Sequence, residues 1–267
     1  MLRNTHDLLD YAIEAADGTI GHVKDLYFDD HSWVVRYLVV DAGSWLSRRK
    51  VLVSPIAVTQ PDWHEKKLRV SMTKEQVRNS PDIDTAKPVS RQSEEAYLSH
   101  YNYPFYWGGT GLWGDGMVPG MMIPGTSGLL DTPTGRQRES DASPAQARAT
   151  VRAQGDPHLR SCNEVTGYHI HASDGDIGHV QGLLVDEQSW AIRYMVVDTS
   201  NWWIGHKVLI VPQWIQDVSW SDSKVSVDVT RQEVKDAPPY QSEVQFDRVR
   251  GADIYKHYKR VGYWDGM

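Results

Sequence analysis

Apolar residues in this chain fall into short runs with a period near two, separated by polar turns that carry glycine. Tyr11 to Glu14 is short and apolar-biased, and Asp17-Gly18 follows as a hairpin turn in which glycine can take a positive φ. Ile20 to Phe28 alternates as a strand does. Asp29-Asp30-His31-Ser32 is a polar turn, and Trp33 to Val40 is a β-branched run closed by Asp41. Lys50 to Val53, Ile56 to Thr59 and Lys67 to Val70 add three short strands. Six such strands in succession predict a closed barrel, because closure removes exposed edges.

The period then changes. Thr73-Lys74-Glu75-Gln76 and Thr230-Arg231-Gln232-Glu233 both read as capping boxes, in which the Thr hydroxyl accepts from a free backbone N–H and the fourth residue reaches back. Each predicted helix is short and ends before Pro81 or Pro238. A second small helix is expected from Ser93, with Tyr97 and Tyr101 on one face; its counterpart presents Ile254 and Tyr258.

The same pattern occurs twice, 157 residues apart. Asp17-Gly18-Thr19-Ile20-Gly21-His22-Val23 recurs as Asp174-Gly175-Asp176-Ile177-Gly178-His179-Val180. Ser32-Trp33-Val34-Val35-Arg36-Tyr37-Leu38-Val39-Val40-Asp41 recurs as Ser189-Trp190-Ala191-Ile192-Arg193-Tyr194-Met195-Val196-Val197-Asp198, and Lys50-Val51-Leu52-Val53 as Lys207-Val208-Leu209-Ile210. The register holds without a gap to Tyr106-Trp107 and Tyr263-Trp264. Trp33/Trp190, Trp45/Trp202, Trp63/Trp220 and Trp107/Trp264 pair within it, so most of the 11 tryptophans belong to the repeated unit. The chain therefore reads as a tandem duplication. Residues 1–107 form the expected first repeat and residues 158–267 the second. Residues 108–157, rich first in Gly, Met and Pro and then in Ala, Ser, Thr, Arg and Gln, are expected to be a flexible linker. About 50 flexible residues span roughly 40 Å on average.

The Asp-Gly-x-Ile-Gly-His-Val run, the x-Arg-Tyr-x-Val-Val-Asp strand and the Lys-Val-Leu-[Val/Ile]-x-Pro strand together resemble the PRC-barrel family, over roughly residues 5 to 80 and 162 to 237. That family takes its name from the cytoplasmic domain of the photosynthetic reaction-centre H subunit, and it includes the C-terminal domain of a bacterial ribosome-maturation factor. The resemblance implies a mainly β fold: two PRC-type six-stranded β-barrels in tandem, each followed by short helices. It also implies an interaction module with no catalytic residues common to the family. The chain is most similar in plan to free-standing bacterial PRC-barrel proteins.

Charge and chemistry narrow the function. The formal net charge is −7, which opposes general nucleic-acid binding, since phosphate backbones repel an acidic surface. Cys162 is the single cysteine, so an internal disulfide is impossible. No run approaches the roughly 18 apolar residues of a membrane span, and the expected compartment is a reducing cytoplasm, peripheral attachment to the inner membrane being the alternative. His169 and His171 share a strand face, as metal ligands can, but the first repeat has Ala12 and Glu14 there; no metal site is expected. His22/His179 and His100/His257 recur in both repeats, which suits structural hydrogen bonds. Asp41 and Asp198 close a strand in each repeat, where an Asp accepts from turn N–H groups. Gly109-Thr110-Gly111-Leu112-Trp113-Gly114 matches the dinucleotide pattern by letter, yet Pro104 precedes it and Gly116, Pro119 and Gly120 follow. The strand and helix that aim N–H groups at a pyrophosphate are missing from that pattern. No cofactor is expected.

The candidate interaction surface is aromatic and Met-rich. Trp45, Trp202 and Trp203 follow the strand-closing Asp in loops, and a loop Trp is costly to expose unless something packs on it. Trp113, Met117, Met121 and Met122 lie in an apolar stretch outside both repeats, and methionine surfaces adapt to partners. The expected function is non-catalytic protein interaction or scaffolding, toward a protein partner, between the two repeats or between copies of the chain. Association with RNA or the ribosome is one alternative; a membrane-associated accessory of a photosynthetic or respiratory complex, touching the membrane through the linker, is the other.

Overall fold

The alternation read from the sequence produces fourteen strands in the computed structural model, which describes residues 1–81, 89, 91–107, 109–122, 158–200, 206–242 and 246–264. In chain order the first eight are β1 (Leu2–Asn4), β2 (Ala12–Ala15), β3 (Gly18–Asp29), β4 (Val34–Asp41), β5 (Lys50–Val53), β6 (Val58–Asp62), β7 (Lys67–Val70) and β8 (Leu159–Ser161). The remaining six are β9 (His169–Ala172), β10 (Gly175–Asp186), β11 (Ile192–Asp198), β12 (Lys207–Ile210), β13 (Ile215–Ser219) and β14 (Lys224–Val227). They form two seven-stranded sheets. One has the order β5-β4-β3-β2-β7-β6 with β8 added to β3; the other has β12-β11-β10-β9-β14-β13 with β1 added to β10. The pairings β2–β7 and β9–β14 are parallel and the others antiparallel.

The fold is mainly β, as expected, but a closed six-stranded barrel is not what is observed: each sheet has a seventh strand, and its end strands do not pair with each other among the described residues. The length of β3 and β10 explains the extra strand. Both run for 12 residues. β2 covers only the Gly18–His22 end of β3, while β4 pairs with His22–Asp29 on its other side. The exposed edge at Tyr27–Asp29 would leave backbone groups unpaired, and β8 fills it, Tyr27 opposite Ser161 and Asp29 opposite Leu159. In the other sheet β1 covers Leu184–Asp186 of β10 in the same way. Leu2-Arg3-Asn4 and Leu159-Arg160-Ser161 stand 157 residues apart: the sheet of β2–β7 takes its seventh strand from residues 159–161, and the sheet of β9–β14 takes its from residues 2–4.

Two bodies follow from this exchange. The N-body comprises Leu8–Ser161 and Gln188–Ala191; the C-body comprises Met1–Asp7, Cys162–Glu187 and Ile192–Met267. β1, within the expected first repeat, thus lies in the C-body, and β8, within the expected second, in the N-body. The expected linker differs at its start as well. Residues 109–122 pack as part of the N-body, with Trp113 fully buried. Residues 108 and 123–157 lie outside the described ones.

The second glycine of each Asp-Gly-x-x-Gly run sits where β3 meets the end of β4, or β10 the end of β11. A Cβ on Gly21 would stand 2.0 Å from the Asp41 carbonyl oxygen, and one on Gly178 2.0 Å from that of Asp198. No side chain fits there. Asp41 and Asp198 turn the chain beyond, accepting from Gly43 N and Ser200 N at 2.8 Å each. Trp33 and Trp190 precede their strands with φ of 54° and 58°, a left-handed conformation uncommon for a bulky residue.

Both capping boxes form, at α1 (Lys74–Arg78) and at a matching helix over Arg231–Lys235. Asp17 and Asp174 add a tertiary cap, accepting from Lys74 N at 2.9 Å and Arg231 N at 2.7 Å. α2 (Arg91–His100) buries Tyr97, which meets Tyr37 edge-on at 4.9 Å. α3 (Cys162–Val165) follows β8; the Arg231–Lys235 helix is α4, and α5 (Arg248–His257) buries Ile254 and Tyr255. His100 Nε2 stands 2.9 Å from Gln76 O and His257 Nε2 2.7 Å from Glu233 O, so the repeated histidines tie each longer helix to the short one. None of the described helices is long and apolar enough to cross a membrane.

Gly21→Ala and Gly178→Ala are each expected to destabilise their body by roughly 2–3 kcal/mol, the cost of forcing a methyl into packed backbone. Denaturant unfolding of the full chain measures this; a loss within error of zero for both would show that the strands separate freely at this point.

Candidate functional site

The position that distinguishes the two bodies lies between the sheet and the longer helix of each. In the N-body, Arg36 interrupts the apolar run of β4. Its side chain is only 3% exposed and lies over two rings, with Cζ 3.8 Å from the centre of Tyr106 and 4.6 Å from that of Trp113. Arg36 Nη1 donates to Leu112 O at 2.6 Å and Nη2 to Ser32 Oγ at 3.0 Å, with the Asp29 carboxylate 3.9 Å away. Burial alone would raise the Asp29 carboxyl. The Arg36 guanidinium and the backbone N–H groups of Ser32 and His31 outweigh it and hold Asp29 below its ordinary 3.8.

α2 closes this network. Its first turn brings Arg91 to 3.9 Å from Asp29 and to 3.3 Å from the completely buried Glu94. Glu94 also accepts from Tyr106 Oη and pairs with His158 Nε2 at 2.9 Å, and Arg91 Nη1 donates to Tyr106 Oη at 2.9 Å. Burial, followed by the Glu94 charge, pushes the Tyr37 and Tyr106 phenols well above their ordinary values. Two arginines thus face two carboxylates, with the His31 and Ser32 N–H groups, Tyr106 Oη and His158 Nε2 as four further partners of the oxygens. A buried ion group persists only when it is compensated in this way.

The segment 109–122 seals the top. Gly111 N donates to Gly114 O at 2.7 Å, and Trp113 N to Gly116 O at 2.8 Å. A Cβ on Gly109 or Gly111 would stand 2.2–2.3 Å from the backbone of Gly114 or Gly116, so these glycines serve a tight turn around Trp113. The indole Nε1 donates to Ser189 O at 2.8 Å. Trp113 is a buried anchor rather than an exposed surface, and Met122 is buried as well, while Met117 and Met121 remain 39% and 55% exposed. Trp45 is half-buried: its Nε1 donates to Ile20 O at 2.6 Å, and Lys74 Nζ lies 4.5 Å from its ring centre. Trp202 and Trp203 lie outside the described residues.

The C-body keeps part of this constellation and omits the rest. Arg193 lies 4.1 Å over Tyr263 as Arg36 does over Tyr106, and Asp186, Arg248 and Trp264 hold the register places of Asp29, Arg91 and Trp107. Glycine replaces the central acid: Gly251 stands in the register place of Glu94, and Met1 in that of His158. A cleft of about 450 Å³ results, lined among others by Asp186, Tyr194, Arg248, Gly251, Tyr263 and Trp264. Tyr194 is 0% exposed, and its hydroxyl has no hydrogen-bond partner among the described residues. Burial pushes that phenol far above its ordinary value, with Tyr255 adding to the shift. A Cβ on Gly251 would stand 3.0 Å from Tyr194 Oη and 3.4 Å from the Trp264 ring, so any side chain there would enter the cleft.

Neither metal candidate is supported by its surroundings. Asp29, Asp30 and His31 cluster, but Asp29 faces Arg36, and Asp30 is paired with Arg160 at 3.0 Å and His31 at 2.9 Å. His171 Nδ1 is 2.7 Å from Asp176, with His169 exposed beside it. Sequence reasoning had missed Arg36, Glu94, Tyr194 and Gly251. A charge inside a β-branched run and an acid set against a glycine in register were the available signals.

Each body is thus a small β module wrapped around one long strand and backed by a helix, of the kind that presents a surface or a cleft. Residues 3–77, from β1 to α1, match the family model of the PRC-barrel domain. No curated protein matches the chain.

Trp113→Ala is expected to cost about 3–5 kcal/mol by opening a cavity under the turn, and Glu94→Ala a similar amount by stranding Arg91 and His158; urea unfolding checks both. Asp29→Asn should be less stable than the parent at neutral pH. Because the folded carboxyl titrates below 3.8, that gap is full above this value and shrinks as the pH falls through it. Unfolding at pH 7 and pH 3 compares the two.

Proposed function

We propose that the chain is a non-catalytic interaction protein built from two copies of one PRC-barrel-type module, one copy closed on itself and the other open to a partner. One observation carries this reading. The same position is filled in the N-body by Glu94, His158 and the Trp113 turn, and stands in the C-body as a cleft of about 450 Å³. A position filled by the protein's own ion group leaves no room for a ligand, whereas a concave, aromatic-lined site with a few polar groups is the ordinary form of a binding site. The repeat in register, the equal strand orders and the family match over residues 3–77 support the shared module.

Crosslinked capture from the native extract, with tagged full-length chain and its Gly251→Glu variant side by side, tests the reading. The parent should recover a protein partner near one-to-one, and the variant should recover at least tenfold less, since it restores the acid that closes the N-body. Equal recovery by both would move the interaction away from the cleft. Recovery of ribosomal particles or lipid alone would replace a protein partner by the corresponding alternative, and recovery of the chain by itself would refute the interaction reading.

A further inference from the structure

We propose that the C-body cleft binds a carboxylate carried on a small aromatic body, in the place that Glu94 occupies in the N-body. This rests on reading the cleft as the receiving position. The N-body shows what the position accepts: a carboxylate held by Arg91, Tyr106 Oη and His158, beside the Tyr37 phenol. In the C-body three of the groups around it are retained as Arg248, Tyr263 and Tyr194, while the carboxylate itself is replaced by Gly251.

Each retained group is available. Arg248 forms no ion pair with any described residue; its Cζ lies 5.6 Å over the ring of Trp264. The Tyr194 hydroxyl is fully buried and lacks an acceptor among the described residues, which costs free energy unless a ligand supplies one. A carboxylate is the suited acceptor, because its two oxygens take a guanidinium and a phenol at once and charge-assisted bonds are the stronger ones. Tyr263, Trp264 and Phe246, the last 5.0 Å from Tyr194 ring to ring, supply the walls for an aromatic body.

Two acids also line the cleft. Asp186 takes the place of Asp29, which coexists with Glu94 because two arginines face the pair; Arg193 and Arg248 hold those places here. Asp247 is turned to the start of α5, where it accepts from Arg250 N at 2.9 Å.

Titration of the full-length chain with indole-3-acetate and N-acetyltryptophan, each beside its primary amide, tests the proposal by ligand-observed NMR and calorimetry. At least one acid should bind tenfold or more tighter than its amide. Tyr194→Phe should weaken the acid several-fold with little effect on the amide, and Gly251→Glu should abolish acid binding. Binding of indole-3-acetate alone indicates a free small acid, and tighter binding of N-acetyltryptophan a chain terminus presented by a partner; both carry the shared chemistry. Amides equal to acids, acid binding that survives Gly251→Glu, or no binding by either acid would overturn it. If neither acid binds while partner capture still depends on Gly251, the carboxylate chemistry falls and the interaction reading stands. If an acid binds and nothing is captured, the reverse holds.

Discussion

Close approach of two backbones organises each body. β3 meets the end of β4 so tightly that the carbonyl of Asp41 occupies the space a Cβ on Gly21 would need, and β10 and β11 repeat this at Gly178 and Asp198. Both long strands show irregularities in register just beyond the crossing, between Val23 and Asp25 and between Val180 and Gly182. Bulges of this kind bend a strand and sharpen its twist. A twelve-residue strand bent in this way has one edge for its near neighbour and a second, farther edge that β2 or β9 does not reach. The seventh strand fills that edge.

Within that common frame, the two bodies handle a buried arginine differently. Arg36 is deep in the N-body and is balanced there by Asp29, by stacking on Tyr106 and Trp113, and by a carbonyl from the 109–122 turn. Removing any one member leaves its partners desolvated and unsatisfied, which is why the network is closed on every side. The C-body has Gly251 in the place of the acid, and a cleft lies beside it. The two bodies thus differ at this position, Glu94 and His158 against Gly251 and Met1, with no change in strand order.

Much of this was legible in the sequence wherever the cause is local. Alternation gave β2 to β5 and β7, while the strand expected over Ile56–Thr59 begins instead at Val58, after a 3-10 turn over Pro55–Ala57; the capping boxes gave α1 and α4, and the tyrosine face of α2 was visible in its spacing. The seventh strands were not visible, because Leu2-Arg3-Asn4 is too short and too polar to show a period and its partner lies far along the chain. Gly109 to Met122 looked like low-complexity sequence since its glycines and methionines carry no period. Its order comes from Arg36 and Ser189, both 76 residues from the positions they bind. Met117 and Met121 are exposed, whereas Trp45 and Trp113 spend their indole N–H groups inside the N-body. The cleft could be seen only by setting Glu94 against Gly251, since neither residue is unusual on its own helix.

The exchange of β1 and β8 also has a temporal side. Asn4 pairs with Leu184, 180 residues later, so at ~5–20 residues per second of synthesis β1 leaves the ribosome on the order of ten seconds before its partner exists. During that interval Tyr27–Asp29 likewise waits for β8. The earliest-made half of the chain is thus held incomplete until the later half arrives. The nascent protein presents one unfilled strand edge, on β3, and one unpaired strand, β1, to whatever chaperone or neighbouring chain reaches them first.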